Sequence, residues 1–187
     1  MGGGDSTFGD APVVKRYCIT DSVEVAARAA AGGASMIQVR AKALETRELV
    51  ALVRDVIAVA RGVPVLVNSR ADVAMACGAQ GVHLPSDGLA ANAIRSIAPA
   101  GFLIGVSCHT VEELVRAERE GADFAVYGPV FATASHPGAA PVGLGALANA
   151  VRAVRMPIYA LGGVTEQNAP LCIAAGAAGV AGISLFQ

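Results

Sequence analysis

PIYALGGVTEQNAPLCIAAGAAGVAGIS, residues 157–184, is the stretch on which the fold turns. It opens on a short aliphatic run at 157–160 and passes through two glycines into a polar turn and a helical pattern. It then returns through GAAGV at 176–180 to a second apolar run at 179–184. Strand, helix and strand in so few residues form one βα repeat of a parallel sheet. The same junction recurs upstream as GAQGV at 78–82 and GADFA at 121–125, each ending a helix and starting a strand.

Working outward from these junctions, further β-branched or aliphatic runs stand at 15–19, 36–40, 64–68, 81–84, 102–107 and 124–127, giving eight strands in all. Between them, ETRELVALVRDVIAVARG at 45–62 has helical apolar spacing, with Thr46 or a neighbour to open the helix and Gly62 to close it. In TVEELVRAEREGAD, Thr110 and Glu113 form a capping-box pattern and Gly121 is the stop. Weaker helical patterns occupy 145–154 and 165–177. Eight parallel strands alternating with helices predict an α/β protein, a TIM (β/α)8 barrel, because closure leaves no strand edge to protect. Gln187 follows the eighth run directly, so the final helix is expected to be missing. A bare flank there predicts a homo-oligomer, such as a dimer, that covers it.

Composition narrows the class. The 187 residues suit one domain, expected over 14–187 after a disordered arm at 1–13. A hydrophobic share of 54% without tryptophan calls for a core of Val, Ile, Leu and Ala. The formal net charge of -1 gives no basic surplus for a nucleic acid. Cys18, Cys77, Cys108 and Cys172 lack metal-ligand spacing and read as reduced intracellular thiols. The N-terminus has no signal-peptide pattern, and the apolar runs are too short to span a membrane, so a cytoplasmic location is expected.

In such barrels, chemistry gathers at the carboxyl ends of the strands. The polar residues there are Thr20 and Asp21; Gln38, Arg40 and Lys42; Asn68, Ser69 and Arg70; His83, Ser86 and Asp87; Ser107 and His109; Thr133, Ser135 and His136. All three histidines fall in this set. His83 reads as a structural group filling the barrel mouth, and His109 as an acid-base candidate. ALGGVT supplies Gly162 and Gly163, which let the backbone approach an anion, with Thr165 expected to open a helix. Gly182, Ile183 and Ser184 supply further backbone donors one strand later. A phosphate is the expected ligand of these two loops, and Arg40 and Lys42 offer it a cationic second contact.

QVRAK, VNSRADVAMACGAQGVHLP, IGVSCH, DFAVYGPVFATASHPG, GLGAL, PIYALGGV and AGAAGVAGIS follow one another in an order that resembles the thiamine phosphate synthase/TenI family from residue 17 onward. The resemblance implies a TIM barrel of thiamine biosynthesis that holds a thiazole phosphate at Gly162, Gly163, Ile183 and Ser184. Its synthase branch joins a hydroxymethylpyrimidine diphosphate to the thiazole phosphate with magnesium, and its TenI-like branch includes a thiazole tautomerase.

Three places depart from the synthase pattern. Ser69 stands where that branch has a magnesium-binding Asp; Pro85-Ser86-Asp87-Gly88 replaces a Gly-Gln-acidic-Asp run; His136 stands where a Lys grips diphosphate. A hydroxyl does not replace a carboxylate on a hard cation. The leading expectation is therefore a tautomerase with His109 as acid-base group and Ser107 as relay. Gln38, Arg40, Lys42, Asn68, Ser69, Thr133, Ser135 and His136 would then contact substrate. It needs no metal; Asp87 is a magnesium ligand only if the alternative, a thiamine phosphate synthase, is correct. A further alternative is a non-catalytic binder of thiazole or thiamine phosphate. A sugar phosphate epimerase is disfavoured by the lack of paired strand-end carboxylates.

Overall fold

The computed structural model describes residues 14–133, 138 and 140–186, so the arm expected at 1–13 lies outside the described residues. Eight parallel strands close into a barrel in sequence order: β1 Lys15–Thr20, β2 Met36–Val39, β3 Val65–Asn68, β4 Gly81–Leu84, β5 Leu103–Cys108, β6 Phe124–Tyr127, β7 Ile158–Leu161 and β8 Gly179–Gly182. The ring is completed by β1 against β8, with Tyr17 opposite Ala181. Among the described residues, seven α-helices lie outside: α1 Val23–Ala31, α2 Thr46–Val59, α3 Ala71–Cys77, α4 Ala91–Arg95, α5 Val111–Arg119, α6 Gly143–Ala153 and α7 Ala169–Ala174. The expected (β/α)8 barrel is thus the observed fold.

Alternation along each strand divides the apolar residues into two layers. Cys18, Ile37, Val39, Val65, Val67, Val82, Ile104, Val106 and Val180 point outward and pack with the buried faces of the helices. Tyr17, Ile19, Met36, Leu66, Phe124, Val126, Tyr159 and Ala181 point inward and fill the barrel. The rings of Tyr17 and Tyr159 each meet Phe124 edge-on at 5.5 Å. Glycines make room for them. A Cβ on Gly105 would lie 2.3 Å from Phe124 Cζ, and one on Gly179 would lie 2.7 Å from Tyr159 Cε1. The glycine that ends the GAAGV junction therefore serves core packing as well as the turn into β8.

At the expected boundaries, α2 is capped by Glu45, the neighbour of Thr46, which forms a capping box with Glu48. Thr110 and Glu113 form the predicted box at α5, and Gly121 follows with φ +84°. Strand β8 stops at Gly182, short of the expected Ser184, and Ser184–Phe186 forms a 3-10 turn. Arg16 covers that turn, with its guanidinium carbon 5.1 Å from the Phe186 ring centroid, and pairs with Glu166. No helix among the described residues is long and apolar enough to cross a membrane.

Candidate active site at the carboxyl mouth

Inward-facing positions near the carboxyl ends of β1, β2, β4 and β5 carry a buried polar chain. Gln38 Nε2 donates to Tyr17 Oη at 3.0 Å, Tyr17 Oη lies 3.3 Å from His83 Nδ1, and His83 Nε2 lies 2.9 Å from Ser107 Oγ. Tyr17, Gln38 and His83 are at most 3% exposed, so each polar atom must find its partner inside the protein. Tyr17 Oη accepts from Gln38 and is left with its proton to give to His83 Nδ1. His83 then carries its own proton on Nε2 and donates to Ser107, leaving the Ser107 hydroxyl proton for the mouth. Burial, reinforced by the positive charge of Arg40, lowers the His83 pKa to about 3. Burial also raises the Tyr17 hydroxyl well above its ordinary value. The floor is therefore uncharged.

His109 sits apart from this chain at the exposed rim. Its backbone N–H donates to Glu113 Oε2 at 2.5 Å, part of the α5 cap. Its Nδ1 lies 2.7 Å from the Gly128 carbonyl, which can only accept, so Nδ1 holds a proton and, in the neutral ring, the lone pair is on Nε2. Ser107, expected as the relay for His109, is bonded to His83 instead. The mouth thus holds two separate imidazoles, one locked in the interior and one at the rim.

At the ends of β2 and β3, Lys42, Asn68, Ser69 and Arg70 line a hollow of about 370 Å³ together with Val39, Ala41, Leu44 and Leu49. Ser69 has φ +61°, a left-handed conformation; its N–H donates to the His83 carbonyl at 2.8 Å, and its Oγ accepts from Asn68 Nδ2 at 3.1 Å. The Arg70 guanidinium at the edge of the hollow is held by Asp72, at 2.9 and 2.6 Å, and by Thr46. Asp87 lines a different hollow, beside Glu113, Arg116 and Glu120 of the α5 region. The described residues contain no group of three His, Cys, Asp or Glu placed to hold a metal. An amide and a hydroxyl at Asn68 and Ser69, with the Asp87 carboxylate in another hollow, do not fit a magnesium ion that prefers carboxylates and phosphate oxygens.

The two glycine loops lie on the opposite side of the mouth. Gly162 and Gly163 have φ +94° and +62° and run beside residues 129–132, so closely that a Cβ on Gly163 would lie 2.3 Å from the Ala132 carbonyl. Val130 N–H donates to the Leu161 carbonyl at 2.8 Å, and Phe131 N–H to the Gly162 carbonyl at 3.0 Å. In a trans peptide the N–H points opposite to the preceding carbonyl, so these bonds direct the Gly162 and Gly163 N–H groups away from the 130–131 segment. The helix expected to open at Thr165 begins at Ala169 and has only six residues. An anion here would rely on loop amides more than on a helix terminus. Gly182 closes β8, Ile183 follows it at the rim, and the Ser184 backbone starts the 3-10 turn. Thr133 is described and half-buried; Ser135 and His136 lie outside the described residues.

Reading strand ends missed Tyr17, which lies within β1 and joins Gln38 to His83. An inward-parity tyrosine in a barrel strand is the signal that marks it, since a buried hydroxyl demands a partner. Thr20, read as a mouth residue, instead accepts the Ser22 N–H at 3.0 Å and shapes the entry to α1.

Fold and mouth together define a closed (β/α)8 barrel whose uncharged polar floor and glycine loops lie at one face. The chain belongs to the thiamine monophosphate synthase family, whose model matches residues 12–186, and so to thiamine biosynthesis. It is 44% identical over 180 residues to a thiamine-phosphate synthase of Methanoculleus marisnigri, covering 90% of this chain and 85% of that one. A thiamine-phosphate synthase of Chlorobium luteolum is 43% identical over 168 residues, covering 88% and 79%. Among solved structures, thiamine phosphate pyrophosphorylase from Pyrococcus furiosus superposes with a TM-score of 0.83 at 35% identity, covering 91% of this chain and 86% of that one.

Proposed function

We propose that the chain is a thiamine phosphate synthase, joining a hydroxymethylpyrimidine diphosphate to a thiazole phosphate. The observation that carries this reading is the presence of two chemically different places at one mouth. The neutral floor ending at Ser107, with Arg40 near enough to act on His83 and Lys42 in the hollow at the ends of β2 and β3, suits a heteroaromatic ring bearing a diphosphate. The loops at Gly162-Gly163 and Gly182-Ile183-Ser184 suit a single phosphate. A two-substrate reaction uses both places, whereas a tautomerase needs one. The synthase names of the curated relatives favour the same choice, so the transferase alternative is better supported than the tautomerase expected from the sequence.

In the reaction, the thiazole nitrogen lone pair forms a C–N bond to the pyrimidine methylene carbon. The C–O bond to diphosphate breaks, and its electron pair leaves with the diphosphate. Bond formation at an unprotonated ring nitrogen needs no general base. Positive charge develops on the carbon as the leaving group departs, and an uncharged His83 avoids opposing it. Arg40 and Lys42 neutralise charge on the diphosphate side. Because magnesium does not fit the described residues, no step is assigned to it. Incubation of both substrates with the protein should release thiamine phosphate and pyrophosphate in equal amounts. Absence of both at stoichiometric enzyme concentration rejects the synthase reading.

A second reading, the thiazole tautomerase, is favoured by one observation, His109 at the rim with its Nδ1 fixed on the Gly128 carbonyl, which leaves Nε2 as the ring nitrogen able to exchange a proton. It would take up and return a proton between carbon and nitrogen of the thiazole carboxylate phosphate. Its signature is an aromatisation absorbance change without added pyrimidine substrate.

A further inference from the structure

The side chain of Asn168 bridges two points of the 163–165 loop. Its Nδ2 donates to the Gly163 carbonyl at 2.9 Å, while its Oδ1 accepts the Thr165 N–H at 2.8 Å. The Asn168 N–H returns to Thr165 Oγ1 at 3.3 Å, and the Ala169 N–H to the Thr165 carbonyl at 2.9 Å, closing the turn. Val130 and Phe131 hold the two preceding carbonyls, so three consecutive carbonyls, at Leu161, Gly162 and Gly163, are each engaged by a protein N–H group. Each fixed carbonyl orients the following N–H in the opposite sense. The Gly163–Val164 peptide is the one whose orientation depends on a side chain, and that side chain is Asn168.

We propose that Asn168 is the positioning residue of the anion-binding loop: by holding the Gly163 carbonyl it aims the Val164 N–H, beside that of Gly163, at the phosphate of the substrate. The proposal rests on the phosphate reading of this loop given above. Asn168 touches no reacting atom. It acts only through the peptide it orients, and an amide is suited to the position because one end must donate while the other accepts.

Two variants separate orientation from simple folding. Asn168→Ser keeps a short oxygen able to accept at a turn or helix start but does not reach the Gly163 carbonyl. Asn168→Asp keeps the acceptor for Thr165 and opposes the Gly163 carbonyl with a carboxylate. Binding of thiazole phosphate and of the corresponding unphosphorylated thiazole alcohol is measured by calorimetry, with thermal unfolding alongside. Asn168→Ser should bind thiazole phosphate about tenfold more weakly, the loss of one hydrogen bond to a loop holding an anion. Asn168→Asp should lose more, and both should bind the alcohol as the wild type does. The steady-state KM for thiazole phosphate should rise with kcat little changed. Equal losses for phosphate and alcohol, or wild-type phosphate affinity in both variants, would overturn the positioning role while leaving the phosphate site in place. A wild-type protein that binds the alcohol as tightly as the phosphate would remove the phosphate reading itself, and this proposal with it.

Discussion

His83 Nε2 lies 2.9 Å from Ser107 Oγ, and this bond ends a buried chain that leaves the imidazole neutral to about pH 3. Burial is the main cause and the Arg40 charge adds to it. The sign of the stability effect follows from proton counting. The unfolded chain takes up a proton near 6.5, whereas the folded chain resists protonation down to about 3, so the unfolded state binds more protons across that window. Stability contributed by neutral His83 is full above 6.5 and declines as pH falls toward 3. His83→Asn should be less stable than wild type at neutral pH, and the difference in urea midpoint between the two should narrow by about pH 4.5. A constant difference across that range would show that His83 is not held neutral by burial.

Gly163 answers both to packing and to the candidate site. At φ +62°, with a Cβ only 2.3 Å from the Ala132 carbonyl, Gly163→Ala must displace the 129–132 segment. Left-handed backbone costs a non-glycine residue roughly 1–2 kcal/mol, and overpacking adds about 1–3 kcal/mol. The thermal midpoint should drop accordingly, and the KM for thiazole phosphate should rise by more than tenfold as the peptides turn. An alanine variant with unchanged KM would place the phosphate elsewhere.

The barrel was legible because three helix-to-strand junctions, GAQGV, GADFA and GAAGV, open every second strand, β4, β6 and β8, with further strand and helix patterns between them. Capping residues such as Thr110 and Glu113 act locally and so could be read locally. The partners of the mouth residues could not. Ser107 stands two residues from His109 in sequence, yet the register of β4 against β5 carries it to His83, twenty-four residues away. Tyr17 was invisible as a polar participant because its role comes from three strands meeting around one hydroxyl. The start of α7 was misplaced because Thr165 and Asn168 form a turn that satisfies the same groups a helix cap would.

Ser69 occupies a left-handed position, φ +61°, that Asp and Asn tolerate better than most residues. Ser69→Asp should therefore fold with unchanged or slightly higher stability while placing a carboxylate in the hollow shared with Lys42 and Asn68. Titration with magnesium alone should show at least tenfold tighter binding in the variant than in the wild type, because the hard cation gains an anionic oxygen. Equal magnesium affinity in both proteins would mean that the hollow is not the family's metal position.

His109 distinguishes the two catalytic readings, because its Nδ1 is committed to the Gly128 carbonyl while its Nε2 has no hydrogen-bond partner among the described residues. Condensation at an unprotonated thiazole nitrogen requires no proton acceptor, so His109→Ala should retain the coupling of the two substrates within about threefold, the scale of a rim contact. Tautomerisation requires a group that exchanges a proton with carbon, and loss of a general base costs about 10²–10⁴ in rate. His109→Gln provides the control: its side chain can satisfy the Gly128 carbonyl without serving as a base. The synthase reading expects both variants to keep coupling activity, measured as thiamine phosphate formed per enzyme. Wild-type aromatisation without pyrimidine substrate, abolished in both variants, would instead assign His109 to proton transfer and make the chain an isomerase.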